Sequence, residues 1–112
     1  MKPETLNHYG QRLEPVLHWL ARHPDADPDL YRLADLACLS PYHFHRVYRA
    51  LMGETVNATV QRIRMHRAAV ALGNPEASLR DVAQRAGYES DAAFNRAFGT
   101  AFGIPPGRYR AA

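Results

Sequence analysis

A row of donor-bearing side chains between positions 42 and 49 has the chemistry to meet a surface rich in acceptors and negative charge. Its members recur at the i, i+3, i+4, i+7 spacing of one helical face: Tyr42, His45, Arg46 and Arg49. A guanidinium group presents a rigid fork of N–H donors, which suits phosphate groups and the edges of bases. The row is therefore a candidate binding surface.

The element that must position this row is an amphipathic helix. Its other face carries four apolar residues that we expect to be buried: Phe44, Val47, Tyr48 and Leu51. Ser40 is a favourable N-cap and Pro41 a favourable first helical residue, so the start of the helix is well defined. From this stretch alone, an ordinary amphipathic helix with a solvated basic face stays open as an alternative.

The composition is that of a globular domain with an uneven distribution of charge. The chain has 112 residues, of which 46% are hydrophobic and 22% charged, and its formal charge is +3. Residues 41–112 carry ten arginines against five acidic residues, a local balance of +5. Almost every basic residue is arginine, and this composition favours a nucleic-acid partner. No run of eighteen apolar residues is present, so we predict no membrane span.

Catalysis and metal binding find no support in the residue spacing. The six histidines include no i, i+4 pair, and the single cysteine, Cys38, belongs to no paired ligand motif. The glycines mark helix ends and turns and form no loop that would cradle a phosphate. We therefore expect no enzyme, no cofactor and no metal site. We expect Cys38 to be packed as a small apolar residue within a turn.

Apolar periodicity predicts helices along the chain and strands nowhere. After a loose segment over residues 1–5, a first helix extends from about Leu6 to Leu20, and Pro15 either kinks it or lies where a second helix begins. The remaining helices are predicted, with their N-caps in parentheses, at 30–37 (Asp29), 41–52 (Ser40), 55–72 (Thr55), 79–86 (Ser78), 91–101 (Ser90) and 106–109. The fold class is therefore all-α, with about seven helices.

The chain contains an internal repeat. At a shift of 50, Ser40, Phe44, Arg46, Tyr48 and Gly53 fall on Ser90, Phe94, Arg96, Phe98 and Gly103. At a shift of 49, Asp29, Leu30, Leu33, Ala34 and Ala37 fall on Ser78, Leu79, Val82, Ala83 and Ala86, and the four apolar residues of the first set are expected to be buried. Each copy reads as cap, short helix, tight turn, cap and longer helix, which is the outline of a helix-turn-helix.

Two such units could read DNA or could form a scaffold for another protein. Helical-repeat scaffolds usually need at least three units to close a core. The predicted helix at 55–72 is roughly 27 Å long and could hold two reading helices about one DNA turn, roughly 34 Å, apart. This geometry favours DNA binding. The alternative is a helical protein-interaction module that contacts RNA polymerase or another regulator without DNA specificity of its own.

The second unit resembles the signature of the AraC/XylS transcription regulators. The matching residues are the run 82–90, then Phe94, Arg96-Ala97-Phe98, Phe102-Gly103-Ile104-Pro105-Pro106 and Tyr109-Arg110. The run 39–46 resembles the first helix-turn-helix of the same family, and the resemblance covers roughly residues 6–110. Two positions depart from the family pattern: Thr59, where an aromatic residue is frequent, and Pro15, which is unusual in the first helix.

The resemblance implies two helix-turn-helix lobes, about 6–53 and 77–110, bridged by a linker helix at about 55–72. It also implies that two recognition helices enter successive major grooves on one side of double-stranded DNA and thereby regulate transcription.

Within the first recognition helix we predict a role for each residue of the row. Arg46 makes a bidentate contact to guanine, and His45 donates to an acceptor. Tyr42 meets a thymine methyl group or a phosphate, and Arg49 meets the DNA backbone. The alternatives for these polar groups are a solvated side chain and, for Arg46 and Arg96, an ion pair within the protein.

The corresponding face of the second recognition helix is poorer in donors and consists of Asp91, Ala92, Asn95, Arg96 and Gly99. We therefore expect the first unit to carry most of the base specificity and the second mainly to position the protein. Phosphate contacts are expected from the amides at Ser40 and Ser90 and from Arg49, Arg62 and Arg108.

The resemblance also implies partners. Double-stranded DNA and RNA polymerase are expected, in the bacterial cytoplasm at the nucleoid, with no membrane contact. The chain is similar to members that bind DNA alone as monomers, and to the amino-terminal part of members with a downstream small-molecule-binding domain. The sequence of residues 39–46 favours the second kind. The 112-residue chain is expected to be monomeric.

Overall fold

The computed structural model describes residues 3–24 and 26–111. Within them the chain forms seven α-helices and no β-strand. In chain order they are α1 Pro3–Arg22, α2 Leu30–Leu36, α3 Pro41–Met52, α4 Val56–Ala71, α5 Leu79–Arg85, α6 Asp91–Phe102 and α7 Pro106–Ala111. The predicted all-α fold class and the predicted number of helices are confirmed.

Helix α1 differs from its prediction at both uncertain points. It begins at Pro3, so the expectation of a loose segment over residues 1–5 is wrong for positions 3–5, and positions 1 and 2 lie outside the described residues. Proline is favourable at a first helical position because its missing N–H would have no partner there. The helix continues through Pro15, which excludes a second helix starting at that point. Val16 and Leu20 stay buried after the proline, so the apolar face continues across it.

Side-chain caps fix the starts of five helices, α2 to α6. The Asp29 carboxylate accepts from the N–H of Tyr31 at 3.0 Å. The remaining predicted caps accept through their hydroxyl groups: Ser40 from His43 N–H, Thr55 from Ala58 N–H, Ser78 from Asp81 N–H and Ser90 from Ala93 N–H. All the predicted N-caps are therefore present in the structure.

The chain divides into two compact units, Met1–Val60 and Gln61–Ala112, and the boundary falls within α4. In the first unit α1, α2 and α3 pack against one another. Their core side chains, each at most 3% exposed, are Leu13, Val16, Leu20, Leu33, Ala34, Ala37, Phe44, Val47 and Tyr48. Leu51, the fourth apolar residue predicted for the buried face of α3, is half-buried.

In the second unit α6 packs against both α5 and α7. Its core is a continuous cluster of Met65, Ala68, Ala69, Leu72, Val82, Ala83, Ala86, Phe94 and Phe98. Small alanines at corresponding positions of the two units, Ala34 and Ala83, are at most 2% exposed. Such small residues let the two helices of each helix-turn-helix approach closely.

The expectation that Leu30 is buried is wrong, because its side chain is 42% exposed. Leu30 is the first residue of α2. Helical side chains lean toward the N-terminus, so a side chain at the first position extends beyond the packed turns. Leu79, the first residue of α5, is exposed to a similar degree, 38%.

Thr59 is buried and joins a chain of hydrogen bonds within the first unit. Its hydroxyl lies 2.8 Å from a Glu54 carboxylate oxygen, to which it donates, and 2.6 Å from the Tyr48 hydroxyl. Because threonine has a single hydroxyl proton, the Tyr48 hydroxyl donates to Thr59 while Thr59 donates to Glu54. The departure from an aromatic residue at this position is therefore accommodated by a polar network that satisfies the buried hydroxyl groups.

The turn between α2 and α3 places Cys38 in a left-handed backbone conformation, with φ of 57°. The shift of 49 aligns Cys38 with Gly87, whose φ is 91° in the matching turn of the second unit. Cys38 is exposed, so the expectation that it packs as an apolar residue is wrong. Its neighbour Ala37 supplies the buried contact instead.

Arg110 joins three segments of the second unit. From α7 its guanidinium donates to the backbone carbonyls of Leu72, Asn74 and Ala77, at the end of α4 and in the connection to α5. Carbonyls at the end of a helix have no partner within it, so a cationic donor is well placed there.

Replacing Cys38 by glycine should stabilise the protein by about 0.5–1 kcal/mol. A left-handed backbone costs a non-glycine residue about 1–2 kcal/mol, and the greater freedom of unfolded glycine offsets part of this gain. Urea unfolding followed by circular dichroism measures the change. The matched variant Gly87→Ala should lose more than about 1 kcal/mol, because alanine rarely adopts the left-handed backbone, with φ of 91°, found at this position. A Cys38→Gly variant less stable than the wild type would contradict the argument.

Replacing Arg110 by alanine should destabilise the second unit by about 2–3 kcal/mol, since one charged group loses three carbonyl partners. Thermal unfolding provides the measurement. The control is Arg108→Ala, two residues earlier in α7, whose side chain is exposed and makes no hydrogen bond to a described residue. Arg108→Ala should change stability by no more than about 0.5 kcal/mol; equal losses in the two variants would show that the carbonyl contacts do not matter.

Candidate nucleic-acid interface

The outer face of α3 brings the predicted donor row together. All four side chains, Tyr42, His45, Arg46 and Arg49, are exposed, and Tyr42 is 73% exposed. Phe44 and Tyr48 on the opposite face are at most 1% exposed. Since the helical period separates these faces, burial of the aromatic residues directs the donor row to solvent.

Arg46 lies over the ring of Tyr42, with its guanidinium carbon 5.8 Å from the ring centroid. Within the part of the chain that the structure describes, Arg46 forms no ion pair or hydrogen bond through its guanidinium. The alternative of an intramolecular ion pair is therefore not realised for Arg46, nor for Arg96 within the same residues. The aromatic ring supports the guanidinium by a cation–π contact and leaves its N–H donors available.

His43 anchors the start of α3 to α1. The Tyr9 hydroxyl lies 3.2 Å from His43 Nε2, and the two rings meet edge to face with centroids 5.4 Å apart. Neither residue was predicted to take part in the candidate binding surface. The pair is separated by 34 positions, so no local pattern could have revealed it.

The outer face of α6 is exposed but offers fewer donors. Asp91, Ala92, Asn95 and Arg96 are exposed, whereas Gly99 is half-buried. The neighbouring Thr100 hydroxyl is exposed, but it donates to the Arg96 carbonyl at 3.0 Å. Direct donation to a ligand from this face is therefore left to Asn95 and Arg96.

The two recognition helices also differ at their first turns. Pro41 has no N–H, so α3 begins with the Tyr42 amide, whereas α6 offers the amides of both Asp91 and Ala92. Amides at a helix start favour an anion. In α6, however, the Asp91 carboxylate lies at the same end and opposes that preference.

A surface cleft of about 430 Å³ lies beside the start of α6. Its lining residues are Arg80, Gln84, Tyr88, Glu89, Ser90 and Asp91. Arg80 is the one cationic side chain among these residues and Glu89 and Asp91 are the carboxylates. The sequence reasoning named Ser90 and Asp91 but overlooked Arg80 and Gln84, which lie four residues apart on α5 and could have been found by helical spacing.

Tyr88, which also lines the cleft, packs against the base of α6. Its hydroxyl is buried and has no hydrogen-bond partner among the described residues. Burial raises the pKa of Tyr88, and the nearby positive charge of Arg64 partly offsets the increase. Its ring packs against Phe94 with centroids 5.8 Å apart, so the side chain belongs to the support of α6.

The basic residues predicted to meet phosphate lie on different elements. Arg49 is on α3, Arg62 on α4 and Arg108 on α7, and all three are exposed. Arg62 also has an interaction within the protein.

The described residues contain neither a cluster of metal ligands nor a membrane-spanning helix. No group of three or more histidine, cysteine, aspartate or glutamate side chains that could hold a metal ion occurs within residues 3–24 and 26–111. No helix in this same part of the chain has the length and apolar character needed to cross a membrane.

Comparison with known proteins identifies the family. The family described as "Helix-turn-helix domain" matches residues 33–112, well over half of the chain. The HTH-type transcriptional regulator YbfP of Bacillus subtilis is 27% identical over 103 residues, which are 92% of this chain and 35% of YbfP. The chain thus spans about a third of the length of that relative.

Two further proteins are similar over nearly their whole length. The regulatory protein SoxS of Salmonella typhimurium is 27% identical over 102 residues, 91% of this chain and 95% of SoxS. The DNA-binding domain of the global transcriptional factor AdpA, solved in complex with a target DNA, is 30% identical with a TM-score of 0.76 and covers 89% of this chain and 90% of its own. With seven helices, two matched turns and these relatives, the chain belongs to the AraC/XylS family of helix-turn-helix transcription regulators.

Proposed function

We propose that this chain regulates transcription by binding double-stranded DNA in a sequence-specific manner, with α3 and α6 entering successive major grooves. The observation that carries the proposal is the donor row on α3, in which Arg46 is exposed, supported by an aromatic ring and free of ion pairs to other described residues. The AdpA domain, 30% identical over nearly the whole chain and solved with a target DNA, supports the same conclusion.

The division of labour between the helices is part of the proposal. Arg46 reads guanine, His45 donates to an acceptor, and Tyr42 supports Arg46 while meeting a thymine methyl group or phosphate. Asn95 and Arg96 make the few direct contacts of α6. Lobes at about 6–53 and 77–110, with a linker helix at about 55–72, account for the two repeated units.

The proposal assigns no catalytic step, cofactor or metal ion. RNA polymerase is the proposed protein partner, and the exposed aromatic ring of Tyr31 on α2, 72% accessible, supports a protein contact outside α3 and α6. The match covers 35% of YbfP, so most of that relative lies outside the matched part. For the whole protein we propose a further domain, downstream of residue 112, that binds a small molecule, as the family resemblance implies. Its proposed location is the bacterial cytoplasm at the nucleoid.

Replacing Arg46 by alanine should weaken binding to the cognate site about 10- to 100-fold, because one bidentate pair contributes about 1–3 kcal/mol of discrimination. The cognate site is first selected from random duplexes, and affinities are then measured by gel shift. Arg96→Ala should cause a smaller loss. Arg22→Ala, which removes an exposed charge from the last turn of α1, serves as the charge-matched control and should bind nearly as the wild type does. Near-wild-type affinity for both Arg46→Ala and Arg96→Ala would contradict the proposal that α3 and α6 enter the major grooves.

The affinity should fall steeply with salt, with a slope of log K against log salt of about −3 or steeper. Each phosphate neutralised by a basic side chain contributes about −0.9 to this slope. Titrations between 50 and 200 mM salt measure the slope, and footprinting of the selected site should show two protected major-groove segments about one turn apart. A flat salt dependence, or the absence of protection, would favour the protein-interaction module instead.

A further inference from the structure

The first helices of the two helix-turn-helix units carry different chemistry on their outer faces. The shift of 49 aligns Arg80 of α5 with Tyr31 of α2, and Gln84 with Asp35. All four side chains are exposed. The outer face of α5 therefore presents a cation and an amide where that of α2 presents a ring and a carboxylate.

The donor groups of α5 are placed beside the recognition helix of the same unit. Arg80 and Gln84 lie one helical turn apart and line the cleft of about 430 Å³ that also contains Ser90 and Asp91, at the start of α6. Arg80 makes no hydrogen bond or ion pair to another described residue. A guanidinium and an amide on one wall of an open cleft together suit the oxygens of a phosphate group.

Binding of a phosphate in the cleft depends on Arg80, because the other charged lining residues are acidic. Glu89 and Asp91 line the same cleft, and their carboxylates would repel a DNA strand. Arg80 is the only cationic side chain among the lining residues to offset them. On α3 the basic side chains occupy the recognition helix itself, as Arg46 and Arg49. The position of α2 that aligns with Arg80 is Tyr31, so the first unit places its cations differently.

We propose that Arg80 and Gln84 on α5 bind a DNA backbone phosphate beside the point where α6 enters the groove. The second unit then holds DNA through its first helix, and the first unit holds DNA through its recognition helix. This inference rests on the proposed function, because it assigns a backbone contact within the same complex. It explains how a unit whose recognition face has few donors contributes to affinity.

The test compares variants of the 112-residue chain on the selected cognate duplex and on a scrambled duplex, between about 50 and 200 mM salt. Arg80→Ala should lower the affinity for both duplexes by the same factor, about three- to tenfold, and should make the salt slope shallower by about 0.9. Arg80→Lys should keep the slope, because it keeps the charge. Gln84→Ala should weaken both duplexes about two- to threefold with no change in slope, since the amide is neutral. Arg22→Ala again controls for the loss of one exposed charge.

A second measurement separates phosphate binding from simple neutralisation of the two carboxylates. A neutral methylphosphonate replaces, one at a time, the phosphates that flank the second protected segment. At one position the substitution should weaken the wild type but leave Arg80→Ala unchanged. If Arg80 only neutralises the Glu89 carboxylate, combining Glu89→Gln with Arg80→Ala should restore the wild-type slope of log K against log salt. That result would overturn the proposal.

The remaining outcomes distinguish failure of this inference from failure of the proposed function. A loss confined to the cognate duplex would make Arg80 a base-reading residue, and an unchanged salt slope would remove it from the interface; either result overturns the inference alone. A wild-type protein that binds neither duplex would instead overturn the proposed function, and the inference with it. Circular dichroism of each variant establishes that the helices are retained, as expected for exposed side chains without hydrogen bonds.

Discussion

Burial of a pair of aromatic rings beneath each recognition helix is the constraint on which the candidate interface depends. Phe44 and Tyr48 in α3, and Phe94 and Phe98 in α6, are each at most 1% exposed. The ring centroids are 5.8 Å apart in the first pair and 5.7 Å in the second, with nearly equal tilts. Because the rings lie four residues apart on one face, their burial fixes which side chains of the same helix face solvent.

The shared core carries two different outer surfaces. On α3 the exposed row combines an aromatic ring with donors, and Tyr42 supports the guanidinium of Arg46. On α6 the corresponding row contains a carboxylate and an alanine, Asp91 and Ala92, and the basic side chain that lines the adjacent cleft, Arg80, comes from α5. The two units therefore share the packed face of the recognition helix and differ on its exposed face.

The two units also stabilise their recognition helices by different means. In the first unit, Tyr48 carries a hydroxyl that bonds to Thr59, so a polar network lies beneath α3. In the second, the equivalent Phe98 contacts Phe102 and Tyr109 in an aromatic cluster with centroid distances of 4.5 and 5.3 Å. The hydroxyl group of Tyr48, which Phe98 lacks, thus makes the support of α3 hydrogen-bonded and leaves that of α6 apolar. Both rings nevertheless lie eight residues after the serine that caps their helix.

The sequence by itself determined what depends on interactions within about four residues. Helical spacing identified the faces of α3, the caps Ser40 and Ser90 marked the helix starts, and the repeat revealed two helix-turn-helix units. Only the tertiary structure decided how residues distant in the chain meet. It paired Tyr9 with His43, joined Arg110 to Leu72, and enclosed the Thr59 hydroxyl. It also left Cys38 and Leu30 exposed, because burial depends on which neighbouring element covers a side chain, and apolar spacing within one helix does not specify that neighbour.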